Sequence, residues 1–325
     1  MPRVSGRTGK VFAQVGGGTK FFFLELTNSG DNRKFTSGKS PWADTPTPRV
    51  RINGARSGLK VTVDNAVAND TVDITAGTAY IAGVEKTIAA GSLATLARPL
   101  VAGNVLITAI TADSTGALAK VAGTEGASGG AIGAAGGQPF IPVGSILLAL
   151  VALSGTAAAV VLASEIDTTA MERADIPGWE PDFFNGTISL QIPLAAIHTG
   201  TVPRKVYAEF TQVTLSEIFD LSEWMVEVSK DTADTFAMGD TFKKAVPVIR
   251  SWSGSARGFV VSTYWFDAAN RDGYMLVELQ YHENAPTKFQ GIANVSWSMS
   301  VPATGAVTED IKFTGNGELV EKPIP

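Results

Sequence analysis

Residues 294–314 read NVSWSMSVPATGAVTEDIKFT. Val295, Trp297, Met299 and Val301 alternate with Asn294, Ser296, Ser298 and Ser300, so a strand through them has one apolar face and one ladder of small polar groups. Residues 302–306 interrupt the run, after which Val307, Ile311 and Phe313 alternate with Thr308, Asp310, Lys312 and Thr314. The spacing predicts a β-hairpin whose apolar side packs inward, with Glu309 the one charged residue on that side. Gly315, Asn316 and Gly317 follow, types that tolerate positive φ and let the chain leave the sheet.

Short runs of β-type residues recur on either side of this hairpin. They cover 205–210, 224–229, 259–265 and 274–281 in the last half, and 60–63, 71–75, 79–81, 105–111 and 146–153 in the middle. Near the start, 10–15 and 20–26 read as two strands separated by three glycines at 16–18. Helix signals are scarce; 234–244 is the best candidate for one short helix, stopped by Pro247. The predicted fold class is all-β.

The chain has 325 residues, 45% of them apolar and 18% charged, enough to fill more than one core. It has no cysteine and two histidines, which excludes disulfides and cysteine-based zinc sites. The opening MPRVSGRTGKVFAQV holds no apolar leader core. Residues 141–163 are broken by Pro142, Gly144 and 154–156 before reaching the roughly 20 residues a membrane span needs. No membrane span is expected, and 146–153 and 157–163 read as two buried strands.

Charge divides the chain into three parts. Residues 1–58 hold ten Lys/Arg against three Asp/Glu, 59–163 hold four against six, and 164–325 hold twelve against twenty-two. The first part reads as a basic extended arm, which either stands free or completes the sheet of the last part. The second reads as a β-rich outer accessory domain, and the third as the main β-domain. A basic leader and an acidic trailing domain suggest that one docks on the other, within a subunit or between neighbours. Seven glycines among the fifteen residues of 123–137 predict a mobile loop.

Few motifs carry chemistry. Residues 36–40 (TSGKS) resemble the end of a phosphate-binding loop, but Arg33 stands where that motif needs its first glycine. Residues 253–258 (SGSARG) fail the nucleophile-elbow pattern and read as a turn. His282 beside Glu283 reads as an exposed strand end. Asp231, Asp234 and Asp240 offer oxygen ligands without the spacing of an EF-hand loop. No catalytic, cofactor-binding or metal-binding residues are expected. Four of the six tryptophans fall in predicted strands of an acidic domain, which points to core packing rather than base or sugar stacking.

Residues 291–319, read with 227–258 (EVSKDTADTFAMGDTFKKAVPVIRSWSGSARG), resemble the tail tube proteins of long, flexible-tailed bacteriophages. The resemblance covers about residues 205–320 and lies in the order of loop, strand and turn types. It implies a tail-tube-like β-sandwich or half-barrel with one short helix, plus a second small β-domain. It also implies stacked hexameric rings enclosing a tape measure protein, joined to tail-end proteins and passing DNA without specific binding. The virion tail, assembled in host cytoplasm, is the implied location. The loop holding Asp231, Asp234, Asp240, Lys243 and Lys244 is then expected at subunit contacts. Asn294, Ser296, Ser298, Ser300, Thr308, Asp310, Lys312 and Thr314 are expected to border the lumen. The phrase ITAGTAYIAGVEKTI in the middle part is similar to small modules of phage fibres and adhesins, so a fibre subunit binding host surface glycans is the alternative.

Overall fold

The computed structural model describes residues 10–323 apart from 45, 176–177, 219–220, 236–243, 261–263, 271–273 and 281–285; side chains at 15–17, 230–235, 244–249 and 264 are also outside the description. The fold is all-β, 55% strand against 3% helix. It opens with β1 (Lys10–Asn28), β2 (Lys34–Thr36) and β3 (Arg49–Ile52). Ten short strands follow: β4 (Gly54–Gly58), β5 (Val61–Val63), β6 (Val72–Ile74), β7 (Gly77–Ile81), β8 (Val84–Ile88), β9 (Gly91–Leu93), β10 (Val105–Ala112), β11 (Leu118–Ala122), β12 (Ile146–Ser154) and β13 (Ile166–Asp167). The chain ends with β14 (Trp179–Asp182), β15 (Thr187–Leu190), β16 (Val206–Ile218), β17 (Leu221–Thr235), β18 (Lys244–Phe259), α1 (Tyr264–Ala269), β19 (Met275–Gln280), β20 (Thr287–Ser300), β21 (Thr308–Gly315) and β22 (Val320–Pro323).

β1–β3 and β14–β22 form one antiparallel sheet of twelve strands, and β1 is its spine. β16 runs along one side of β1, from Val11 opposite Ile218 to Leu26 opposite Val206; β19 pairs with the start of β1 and β2 with its end. The glycines at 16–18, expected to separate two strands, lie inside β1. The register shifts between Val15 and Thr19, and a Cβ on Gly18 would stand 2.1 Å from the Gln212 carbonyl oxygen. Glycine therefore lets the strand bulge without breaking. Basic residues of β1 and β3 meet acids of β16: Lys10 with Glu217 at 3.2 Å, Lys20 and Arg49 with Glu209 at 2.9 and 3.4 Å. Part of the charge asymmetry is thus matched within the chain itself. Exposed pairs of this kind contribute less than about 1 kcal/mol each, so strand pairing and apolar burial hold β1 in place.

Around the main core the order is β16–β1–β19–β20–β21–β18–β17. Only two residues separate Ile218 from Leu221, so the ends of the first and last of these strands lie within about 11 Å of each other. Both residues pack on one core, with Trp224, Trp252, Trp265, Ile311 and Phe313 buried in it. The sheet is therefore strongly curled. The helix α1 lies in the crossover from β18 to β19 and sends Trp265 and Ala268, one turn apart, into that core. A strand was expected through 259–265; β18 stops at Phe259, and the aromatic run that suggested β structure belongs to the helix. Phe266 meets Trp297 edge-on, ring centroids 5.4 Å apart.

A second core under β1, β2, β3, β15 and β16 is built on Trp42, which is fully buried and stacks on Phe210 at 4.2 Å. The TSGKS loop closes around this indole: Trp42 Nε1 donates to the Lys39 carbonyl at 2.6 Å and to Ser37 Oγ at 3.2 Å. Ser37 Oγ also donates to the carbonyls of Lys39 and Gly186. Its polar groups serve an anchor for tryptophan.

The chain leaves the large sheet at Asn53 and returns to it at Trp179. In between, a four-stranded sheet (β11–β10–β12–β13) and two three-stranded sheets (β4–β7–β8 and β5–β6–β9) surround a core that includes Val72, Ile74, Ile81, Ile110, Ile146 and Leu148. Residues 157–163, expected as a strand, contribute one bridge, Asn69 to Val160, and the start of a 3-10 turn. The glycine-rich 123–137 is a folded knot. Backbone bonds join Gly126 to Val105, Gly136 to Thr124 and Gly133 to Gln138, and a Cβ on Gly136 would stand 1.8 Å from the Ala127 carbonyl oxygen. Glycine is needed there for close backbone approach, not for slack.

Two features bind this insertion to the large sheet. Arg51 of β3 lies between Phe23 and Tyr80, 3.5 and 4.7 Å from their centroids, and donates to the Gly83 carbonyl. The buried pair His198–Glu172 (3.2 Å) joins the β15–β16 connection to the segment leaving the insertion; Glu172 also accepts from the Leu147 N–H. At the far end, Arg98 donates to Asp70 and to the Ser154 and Ala159 carbonyls. Arg98→Ala is expected to lower the unfolding free energy by about 2–3 kcal/mol, since three acceptors, one of them a mostly buried carboxylate, lose their donor. Urea unfolding followed by circular dichroism reads this; an unchanged midpoint would show that Arg98 is no clamp.

Candidate functional site

The expected hairpin is β20–β21, with Asn294 opposite Thr314, Ser296 opposite Lys312, Ser298 opposite Asp310 and Ser300 opposite Thr308. These eight side chains share one face. Asn294, Ser296, Ser298, Ser300, Lys312 and Thr314 are exposed and Thr308 and Asp310 half-buried. On the other face Val295, Ile311 and Phe313 are buried. Met299 and Val301, expected inside, are 49% and 65% exposed; Phe266 of α1 packs on this face at Trp297, and β20 ends at Ser300, one residue before Val301.

Glu309 sits on the buried face at 4% exposure and accepts a 2.8 Å bond from Trp297 Nε1. Burial pushes its carboxyl above the usual glutamate range, against the smaller opposing effect of the indole bond. A raised acid binds its proton more tightly folded than unfolded. Its stabilising contribution is thus full below the ordinary glutamate pKa and is lost as pH rises through the folded one. Glu309→Gln keeps an acceptor for Trp297 without the charge. It is expected to be more stable than the parent near neutrality, with the gap closing below about pH 4. Melting curves across that range test the sign, and a parent more stable at neutral pH would reverse it.

The polar face extends beyond the hairpin. β18 lies against β21 with Ser253 opposite Thr314, Ser255 opposite Lys312 and Arg257 opposite Asp310; β17 follows with Glu227, Met225 and Glu223 in the same three rows. Residues 253–258, expected as a turn, are therefore the last part of strand β18. Ser251, Ser253, Ser255 and Arg257 alternate with Trp252, Gly254, Ala256 and Gly258, a period readable in the sequence once the turn reading is set aside. Within the hairpin Lys312 is the one cation on the polar face. Across the sheet Arg257 is a second, and its Nε takes Asp310 at 3.0 Å. Ser229 and Ser251 share a 2.8 Å hydrogen bond. The result is a four-stranded surface of small hydroxyls with mixed charges.

Among the described residues β17 is the end of the sheet and pairs only with β18. It presents an open edge of fifteen residues. Beyond Ser251 the outer flank of β18 has no strand partner among the described residues, so 230–235 and 244–250 project as a two-stranded arm of about 20 Å. Asp231, Asp234 and Lys244 lie on this arm, their side chains outside the description; Asp240 and Lys243 lie outside the described residues, as do His282 and Glu283. The helix expected over 234–244 is not formed at Asp234, Thr235 or Lys244, which are strand; 236–243 fall outside the described residues. Long-range pairing of the two arms overrides the local turn signal.

Among the described residues no group of three or more His, Asp or Glu side chains is placed to hold a metal, and no helix is long and apolar enough to cross a membrane. In the 59–163 part the two aromatic residues, Tyr80 and Phe140, are half-buried, Tyr80 under Arg51 and Arg56 and Phe140 against Gly133. No model of a known protein family matches the chain, and no curated protein matches it.

Proposed function

We propose that this chain is a structural subunit that polymerises into stacked hexameric rings, the tail tube of a long, flexible-tailed bacteriophage. The observation that carries the reading is the hydroxyl-rich face of β18, β21 and β20, continued by Glu223, Met225, Glu227 and Ser229 of β17 and bordered by the β17 edge, which is unpaired among the described residues. An open edge of that length is a template for pairing with a strand of another copy, and a pairing that repeats by rotation closes a ring. Sheets joined in this way would set their Ser/Thr faces around a channel. Such a wall is wetted and holds few phosphates, which suits DNA that passes without specific binding. The projecting arm of 230–235 and 244–250, with Asp231, Asp234 and Lys244, is suited to reach the next ring. A tape measure protein would occupy the lumen during assembly in the host cytoplasm, and tail-end proteins would close the tube. The glycan-binding alternative has less support, because the aromatic side chains of the insertion are engaged in packing, and sugar recognition leans on exposed ones.

Negative-stain microscopy of the purified protein tests this directly. Rings or hollow tubes are expected; compact trimers or fibres that bind glycans would replace the reading with the adhesin one, and a monomer at every concentration would refute self-assembly.

A further inference from the structure

The far end of the insertion presents four large aliphatic side chains to solvent: Val67 (65% exposed), Leu100 (88%), Val101 (56%) and Leu162 (58%). They sit on three loops tied together by the Asn69–Val160 bridge and the Arg98 clamp. Each loop is also held by a carboxylate on its own backbone. Glu125 takes the Leu100 N–H, Glu165 the Leu162 N–H at 2.7 Å, and Asp64 the Ala68 N–H at 2.7 Å. Val67 stands at φ +57°, a conformation costly for a β-branched residue, and its exposed side chain recovers little burial within the subunit. The loops are rigid and apolar, and counting Asp70 with the three carboxylates against Arg98 the tip is acidic.

A complementary surface lies at the other end of the insertion. Phe22 on β1 is 72% exposed with Lys20 Nζ 4.7 Å from its ring centroid. On the paired strands beside it Lys20 and Arg49 meet Glu209, Arg49 and Arg51 lie over the ring of the next residue, Phe23, and Lys205 meets Glu25, so four basic residues stand against two acids and this shelf is net basic. β12 runs from the junction to the tip and separates the two surfaces by about 30 Å. A tip therefore cannot reach the shelf of its own chain.

We propose that the acidic, apolar tip of one copy docks on the basic Phe22 shelf of another, a head-to-tail contact between the insertion of one copy and the large sheet of the next, on the outside of the assembly. The inference rests on the self-assembly reading and adds its partner surface. The occupant is a second copy because charge and apolar character match across the two surfaces and oppose a tip-to-tip pairing. Four side chains offer a few hundred Å², well below the roughly 800 Å² per partner of a stable free complex. The contact thus forms between copies already held in a polymer, where effective concentration is high.

The chain has no cysteine, so introduced thiols report it cleanly. Ala102→Cys at the tip and Thr19→Cys beside the shelf are both exposed positions that leave the apolar side chains in place. Chains carrying one or the other, distinguished by mass, are mixed, assembled and oxidised. Mixed disulfides are expected in polymers and not in dispersed subunits. Their yield should fall several-fold when salt is raised from about 0.1 to about 1 M before oxidation, as the Debye length shortens from about 10 to about 3 Å, and Phe22→Ala should lower it further. Polymers whose thiols stay open to maleimide, or link only tip to tip, overturn the proposal and leave the self-assembly reading standing. Absence of polymers, read by microscopy beforehand, refutes that reading and this one with it.

Discussion

Gly315→Ala is expected to destabilise the protein by about 3 kcal/mol, at the upper end for overpacking a core. The added Cβ would stand 2.2 Å from Nε1 of Trp252, a ring that is 3% exposed. Further along the same edge of the indole Trp252 lies against Gly291, where a Cβ would be 2.5 Å from Cζ2. That edge therefore rests on two glycines of β20 and β21, and the ring is buried in the main core, so it must shift against packed neighbours to admit a methyl group. Gly315 does not have positive φ, although Gly317 does, at +86°. The expectation that Gly315 and Gly317 both serve to turn the chain thus holds for the second alone. A double-mutant cycle separates steric from backbone effects. Combining Gly315→Ala with Trp252→Phe should cost much less than the sum of the single changes, because the smaller ring vacates the contact. Additive losses in urea unfolding would show that the glycine is needed for its backbone instead.

The second large effect concerns the polar face, on the reading that it lines a DNA channel. Replacing Ser296 and Ser298 by arginine should leave folding and tube formation intact, because both side chains are exposed on a regular strand. Tubes of the variant are then expected to retain DNA that parent tubes release, and to slow ejection by about tenfold or more. Retention should weaken with salt, the log–log slope steepening by roughly 0.9 for each phosphate engaged. The two positions are not equivalent. Ser298 lies opposite Asp310, which would partly neutralise the new charge in competition with Arg257, whereas Ser296 lies opposite Lys312. Ser296→Arg alone should therefore account for most of the effect. Normal ejection through tubes known to contain the double variant would sink the lumen assignment.

The strand alternation around 294–314 was sufficient to place the hairpin and to divide its faces, since side-chain direction in a strand depends only on parity. It could not show where the core ends. Met299 and Val301 have the parity of Val295, yet they are exposed, at the end of β20 and just beyond it, while Val295 is buried in the main core. Composition was likewise sufficient for an all-β chain without cysteine chemistry, and the tryptophans in predicted strands read correctly as core.

Non-local contact decided the rest. Three glycines at 16–18 and the SGSARG run have the local character of turns, but hydrogen bonding to β16 and to β17 and β21 holds both in long strands. The glycines at 123–137 read as slack until the backbones they bring together are seen. Local propensity is worth at most about 1 kcal/mol per residue, and a ladder of sheet bonds with an apolar face outweighs it. By itself the sequence determined the side-chain parity, the fold class and the absence of thiol chemistry, because these follow from residue type and spacing. Only the tertiary structure decided that the basic leader is the spine of the large sheet, that Arg257 shares the polar face with Asp310, and that glycine cradles Trp252. Each of these depends on which distant strands become neighbours, and pairing between strands far apart in the chain leaves no trace in local spacing.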